Sequence, residues 1–147
     1  MSTPLEQLYT RDILALAASL PLRPFQADAD YTARVTSPVC GSDLNLSMAI
    51  DGRQNVIDFG YDIRACAFGQ ASMSIFARHV IGAPVATIQQ AGISLREILK
   101  AERDANALWA DFKVLSPLAE IPMRHGAVLL PFAAFDRIVE QYKRRRA

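Results

Sequence analysis

The chain has 147 residues, of which 51% are hydrophobic and 21% charged, with two cysteines and a net charge of +1. That length suits one domain able to bury about two-thirds of its unfolded surface, and the composition excludes a disordered chain or a disulfide-rich scaffold. The near-neutral charge calls for no nucleic acid or anionic membrane, and no apolar run approaches the ~18–20 residues that span a bilayer.

Met1-Ser2-Thr3-Pro4-Leu5-Glu6 lacks a basic leader and carries an acid early, so no signal peptide is read and a cytoplasmic chain with reduced thiols is expected. Thr3, Pro4 and Glu6 form a helix start, and Leu5, Leu8, Tyr9, Ile13, Leu16 and Leu20 follow at helical spacing. Pro21 and Pro24 end that helix, which occupies residues 1–24.

The period then changes to two. Tyr31, Ala33 and Val35 form one alternating set, Leu44, Leu46, Met48 and Ile50 a second, and Ile57, Phe59, Tyr61 and Ile63 a third. Asp51-Gly52 reads as the turn between the last two. These residues, 31–64, predict an antiparallel meander with one covered face.

From Cys66 to the end at 147 the pattern is helical. Gly82-Ala83-Pro84 ends a first helix, and Ser94-Leu95-Arg96-Glu97 reads as the capping box of a second. Phe112, Leu115 and Leu118 continue a helical spacing interrupted at Ser116-Pro117. The last helix should begin near Arg124, carry Val128, Leu129, Phe132, Phe135, Ile138, Val139 and Tyr142 inward, and kink or restart at Pro131. The expected fold is a single α+β domain, 1–147: a three-stranded antiparallel sheet with helices packed on one face.

No phosphate loop, H-E-x-x-H or G-x-S-x-G is present. The soft ligands are few. Cys40 lies in the loop between the first two strands, Cys66 where the third strand passes into a helix, and His125 at the start of the last helix. A helix N-terminus favours an anion, which suits a thiolate at Cys66. Two thiolates and an imidazole suit zinc or iron, with a carboxylate as fourth ligand. Each residue also has a plainer reading: a lone cysteine packs as a small hydrophobe, and a histidine at a helix start is a cap or a surface residue. His79, mid-helix, reads as structural, and Lys143-Arg144-Arg145-Arg146 as a complement to the helix dipole.

Three stretches resemble one family. They are Pro38-Val39-Cys40-Gly41-Ser42-Asp43, Cys66-Ala67-Phe68-Gly69-Gln70-Ala71-Ser72-Met73-Ser74, and Pro122-Met123-Arg124-His125-Gly126-Ala127-Val128-Leu129. Together they resemble the U-type iron–sulfur cluster assembly scaffolds, the IscU, SufU and NifU N-terminal group. The 26-residue step from Cys40 to Cys66 suits that family, and the 60-residue step from Cys66 to Gly126 resembles its SufU-like branch. The chain departs from the pattern at two ligand positions. Ser42 stands where the family has Asp, since strand parity argues against an inserted residue, and Gly126 stands where it has its third Cys. Glu120-Ile121-Pro122-Met123-Arg124 replaces the chaperone-read Leu-Pro-Pro-Val-Lys segment of the IscU branch.

The resemblance implies a scaffold or carrier rather than an enzyme. Its cargo would be iron or a transient cluster, 2Fe–2S by family habit, held by Cys40, Cys66 and His125, with Asp43 a labile fourth ligand only if its loop bends. The implied partners are a cysteine desulfurase and apo-protein acceptors, with no nucleic acid and no membrane, the chain being a monomer or weak dimer. Two other readings stay open: a zinc-dependent sulfur relay like SufU, and a binding module that keeps the fold without the metal.

Overall fold

A computed structural model describes residues 11–39, 41–101 and 108–146. The capping residues Thr3, Pro4 and Glu6 lie outside these. The elements run α1 (Arg11–Ala18), β1 (Tyr31–Ser37), β2 (Ser42–Ile50), β3 (Val56–Arg64), α2 (Ala67–His79), α3 (Val85–Leu99), 3-10 helices at Ala110–Glu120 and Pro122–Arg124, and α4 (His125–Arg146). The architecture is α+β: one antiparallel sheet, ordered β1-β2-β3, with helices against it.

Alternation sets the two faces of the sheet. Tyr31, Val35, Leu44, Leu46, Met48 and Phe59 are buried inward, while Arg34, Thr36, Asp58 and Asp62 are exposed on the other side. The register pairs Val35 with Leu44 and Leu46 with Tyr61, so apolar side chains stack across all three strands. The core continues through Phe68, Phe76, Ile88, Leu95, Phe112, Phe132 and Phe135, each almost wholly buried.

Both sheet edges are covered. Arg137 Nη1 donates to Arg34 O and Gln141 Nε2 to Thr32 O, each at 2.7 Å, so α4 closes the β1 edge. At the β3 edge Tyr61 N donates to Arg23 O at 2.8 Å, and Val56 N to Ala83 O at 3.0 Å. The connector after α1 runs so close to β3 that a Cβ on Gly60 would lie 2.1 Å from Pro24 O. The Tyr61 hydroxyl donates to Pro21 O and fastens the same connector.

Burial raises the Tyr61 hydroxyl pKa above its ordinary 10.0. The folded chain therefore holds this proton after the unfolded chain has lost it, and stability falls as pH rises from about 10 toward the folded value. Tyr61→Phe is expected to cost about 1 kcal/mol at neutral pH and to remove that alkaline decline. Urea midpoints at neutral pH and at about pH 11 check both effects.

Four local expectations are corrected. Ser94 does not open a helix but lies inside α3, which starts at Val85 after Pro84. The stripe Val85, Ile88, Ala91, Leu95, Ile98 carries the helix past the capping motif, and Ser94 Oγ accepts from Leu108 N at 3.0 Å instead. Phe112, Leu115 and Leu118 belong to a 3-10 helix, whose three-residue repeat their spacing matches better than an α-helix. The Asp51-Gly52 connection is wider than a two-residue turn: Asp51 Oδ1 accepts from Arg53 N and Asn55 N, both at 2.9 Å, and Gln54 takes the positive φ. Finally, α4 runs unbroken through Pro131, so no restart occurs there.

Candidate metal centre

The first turns of α2 and α4 are in contact. A Cβ on Gly69 would lie 3.2 Å from Ala127 O and 3.4 Å from Ala127 Cβ, and Ser72 Oγ donates to Val128 O at 2.5 Å. Small residues on this side of α2 let the backbones approach. Cys66, one turn before Gly69, is the N-cap of α2 in an extended conformation, half-buried, and makes no side-chain capping bond. The thiol therefore stands at the positive end of the helix dipole without being spent on a cap.

His125 is the first residue of α4 and is half-buried. Its Nε2 lies 2.6 Å from Leu118 O. A carbonyl can only accept, so Nε2 carries the proton, and in the neutral ring Nδ1 keeps its lone pair. An imidazole that donates one N–H to a backbone carbonyl has its orientation fixed and its other nitrogen basic, as metal-bound histidines do. Sequence alone does not reveal Leu118 O, because the contact depends on how the 3-10 helix folds back on α4.

Cys40 lies outside the described residues. On either side of it, Gly41 N donates to Ser37 O at 2.9 Å, and Val39 is exposed. Asp43 pairs with Thr36 on β1 and with Arg64 on β3, one rung in from the Ser37–Ser42 pair. Ser42 and Leu44 are buried inward, so alternation turns the Asp43 carboxylate to the opposite face. Among the described residues no three His, Cys, Asp or Glu side chains gather as a metal site. Asp43, Cys66 and His125 are all described, so Asp43 does not complete a set with the other two.

Gly126 is bracketed by β1. A Cβ there would lie 2.3 Å from Ser37 Oγ and 3.2 Å from Ser37 Cβ. The volume into which a side chain at 126 would start is already occupied from the sheet.

His79, expected to be structural, stacks on Trp109 with ring centroids 4.4 Å apart and lies 3.0 Å from Asp111 Oδ2. It ties α2 to the Ala110–Glu120 helix, away from the α2 N-terminus.

The family model described as NifU-like N terminal domain matches residues 22–119. The chain belongs to this NifU-like family. A solved NifU-like protein (N-terminal) from Brucella abortus is 31% identical, with a TM-score of 0.89, covering 97% of this chain and 99% of that one. A structure from Fervidobacterium islandicum, provisionally described as an iron–sulfur cluster assembly scaffold for the SUF system, is 17% identical with a TM-score of 0.81. It covers 89% of this chain and 96% of that one, and shows the shared fold. A structure of a hypothetical protein is 22% identical with a TM-score of 0.70, covering 87% of this chain and 96% of its own. No curated protein matches. Among the described residues of this NifU-like domain no helix is long and apolar enough to cross a membrane.

Proposed function

We propose that this NifU-like domain is an iron–sulfur cluster assembly scaffold or carrier, with the metal or cluster as its cargo, held by Cys40, Cys66 and His125. The observation that carries the reading is the state of His125: Nε2 is held by Leu118 O, Nδ1 is left as a ligand nitrogen, and the helix it opens meets the helix headed by Cys66. The donor set of two thiolates and a neutral imidazole fits iron or zinc. Asp43 joins it only as a labile ligand, because its pairing with Thr36 and Arg64 must open for the carboxylate to turn inward. The fold family supports a cysteine desulfurase and apo-protein acceptors as partners. Val39 and Met123, exposed apolar side chains beside Cys40 and His125 in the chain, offer such partners contact area.

The test is anaerobic reconstitution with ferric iron and sulfide, followed by metal analysis and a visible spectrum. Wild-type protein is expected to take up iron and gain a visible band. Cys40→Ser or Cys66→Ser should abolish the band, and His125→Ala should lower metal affinity about ten-fold or more. Zinc in place of iron, with faster desulfurase turnover, selects the sulfur-relay reading. Wild-type protein that holds neither metal overturns both.

A further inference from the structure

We propose that the cleft between the start of α3 and the end of α4 binds the phosphate group of a small molecule, and that it does so apart from the candidate metal centre. His125 opens α4 and Arg146 closes it, so a 22-residue helix, roughly 30 Å long, separates the two places. The cleft has a volume of about 430 Å³, within the range that takes a small-molecule ligand. Its walls are Gln54 of the β2–β3 connection, Val85 and Ala86 in the first turn of α3, and Tyr142, Lys143 and Arg146 near the end of α4. Two of the walls are tied together, since Val85 N donates to Gln54 O at 2.9 Å.

Both charges on the cleft are positive. No Asp or Glu lines it, and neither Lys143 nor Arg146 pairs with a carboxylate among the described residues. Arg146 is fixed in place: Nη1 donates to the Tyr142 hydroxyl oxygen at 2.9 Å, and the guanidinium carbon lies 5.3 Å from the centre of the same ring. Tyr142 is only 5% exposed. An arginine can only donate, so the Tyr142 oxygen accepts, and no acceptor for its own proton stands among the described residues. A buried hydroxyl with an unspent proton beside a fixed guanidinium suits an acceptor-only group such as a phosphate. The start of α3 adds to this. Pro84 supplies no side-chain cap, and the first turn holds no acid. Ala86 N, in that turn, has no acceptor inside the helix. The other two arginines of this end do not share the place: Arg145 lies over the Tyr31 ring at 4.5 Å, and Arg144 does not line the cleft.

The test is calorimetric titration of the full chain, at constant ionic strength, with inorganic phosphate and with adenosine monophosphate. Arg146→Gln is expected to lower phosphate affinity about ten-fold, and Tyr142→Phe, which keeps the ring, about five-fold. Ala86→Asp sets a carboxylate in the first turn of α3, where it complements the helix dipole, so the thermal melt should hold or rise while phosphate binding is lost. Arg144→Gln removes the same charge outside the cleft and should change affinity less than about two-fold. Tighter binding of the nucleotide supports a ligand whose body fills the rest of the cleft, and equal binding supports free phosphate. No binding by the wild-type protein at about 10 mM phosphate overturns the proposal. So does a loss in Arg144→Gln equal to that in Arg146→Gln, which marks an adventitious ion only, drawn by the charge of the helix end. Neither outcome touches the scaffold reading, whose ligands lie at the other end of α4.

Discussion

Phe76→Ala is expected to cost about 3–5 kcal/mol of folding stability, the range for emptying an aromatic core position. Phe76 is fully buried on α2 and meets three other rings edge-on: Phe59 on β3 at 6.2 Å, Phe132 at 5.5 Å and Phe135 at 6.2 Å, both on α4. Phe132 passes the contact on to Trp109 and Phe112, each at 5.8 Å. Removing the central ring leaves a cavity among sheet and helices that cannot all close on it. Total stability for such a domain is about 5–15 kcal/mol, so the variant should retain only part of it and melt roughly 10 °C lower. Phe76→Leu keeps most of the volume and loses the edge-to-face contacts, and should cost only about 1–1.5 kcal/mol. Urea titration of both variants checks the pair. A loss below about 1 kcal/mol for Phe76→Ala would show that this ring is not what clamps α2 between the sheet and α4. Because the same clamp sets how the starts of α2 and α4 meet, Phe76→Ala should also lower metal retention with every ligand still present.

The sheet was legible because its signal is local and redundant. Tyr31-to-Val35, Leu44-to-Ile50 and Phe59-to-Ile63 alternate over several residues each, and one buried face enforces the register; Ile57, read as the first member of the third set, is exposed instead, because the register shift at Ala49/Ile50 brings Val56 inward. Short motifs proved weaker than long periodicities. Ser94-x-x-Glu97 has the letters of a capping box, yet the apolar stripe from Val85 to Leu99 runs through it. The three-residue spacing of Phe112, Leu115 and Leu118 carried the 3-10 geometry, but an α-helix tolerates the same spacing on one face, so sequence could not separate them.

At the site, Cys66 and His125 could be placed at helix starts because the hydrophobic period changes there. Their surroundings could not be read. Leu118 O is a backbone atom with no sequence signature, and Ser37 meets Gly126 only because α4 lies along the β1 edge, where Arg137 and Gln141 hold it. The opposite facing of Asp43 was available in principle. Strand parity that marks Leu44, Leu46 and Met48 as inward also marks Asp43 as outward, unless β2 starts late enough to free it, and β2 starts at Ser42.

Gly126→Cys is expected to destabilise the domain by about 1–3 kcal/mol, and Ser37→Gly is expected to relieve most of that loss in the double variant. The new Cβ would fall 2.3 Å from Ser37 Oγ and 3.2 Å from Ser37 Cβ. Rotating the hydroxyl away removes only the first contact, so Ser37→Ala should relieve less than Ser37→Gly. Ser37→Gly alone should cost about 0.5–1 kcal/mol through added freedom of the unfolded chain, which makes the comparison a double-mutant cycle rather than a simple rescue. A Gly126→Cys variant as stable as wild type would mean that β1 and α4 do not approach this closely.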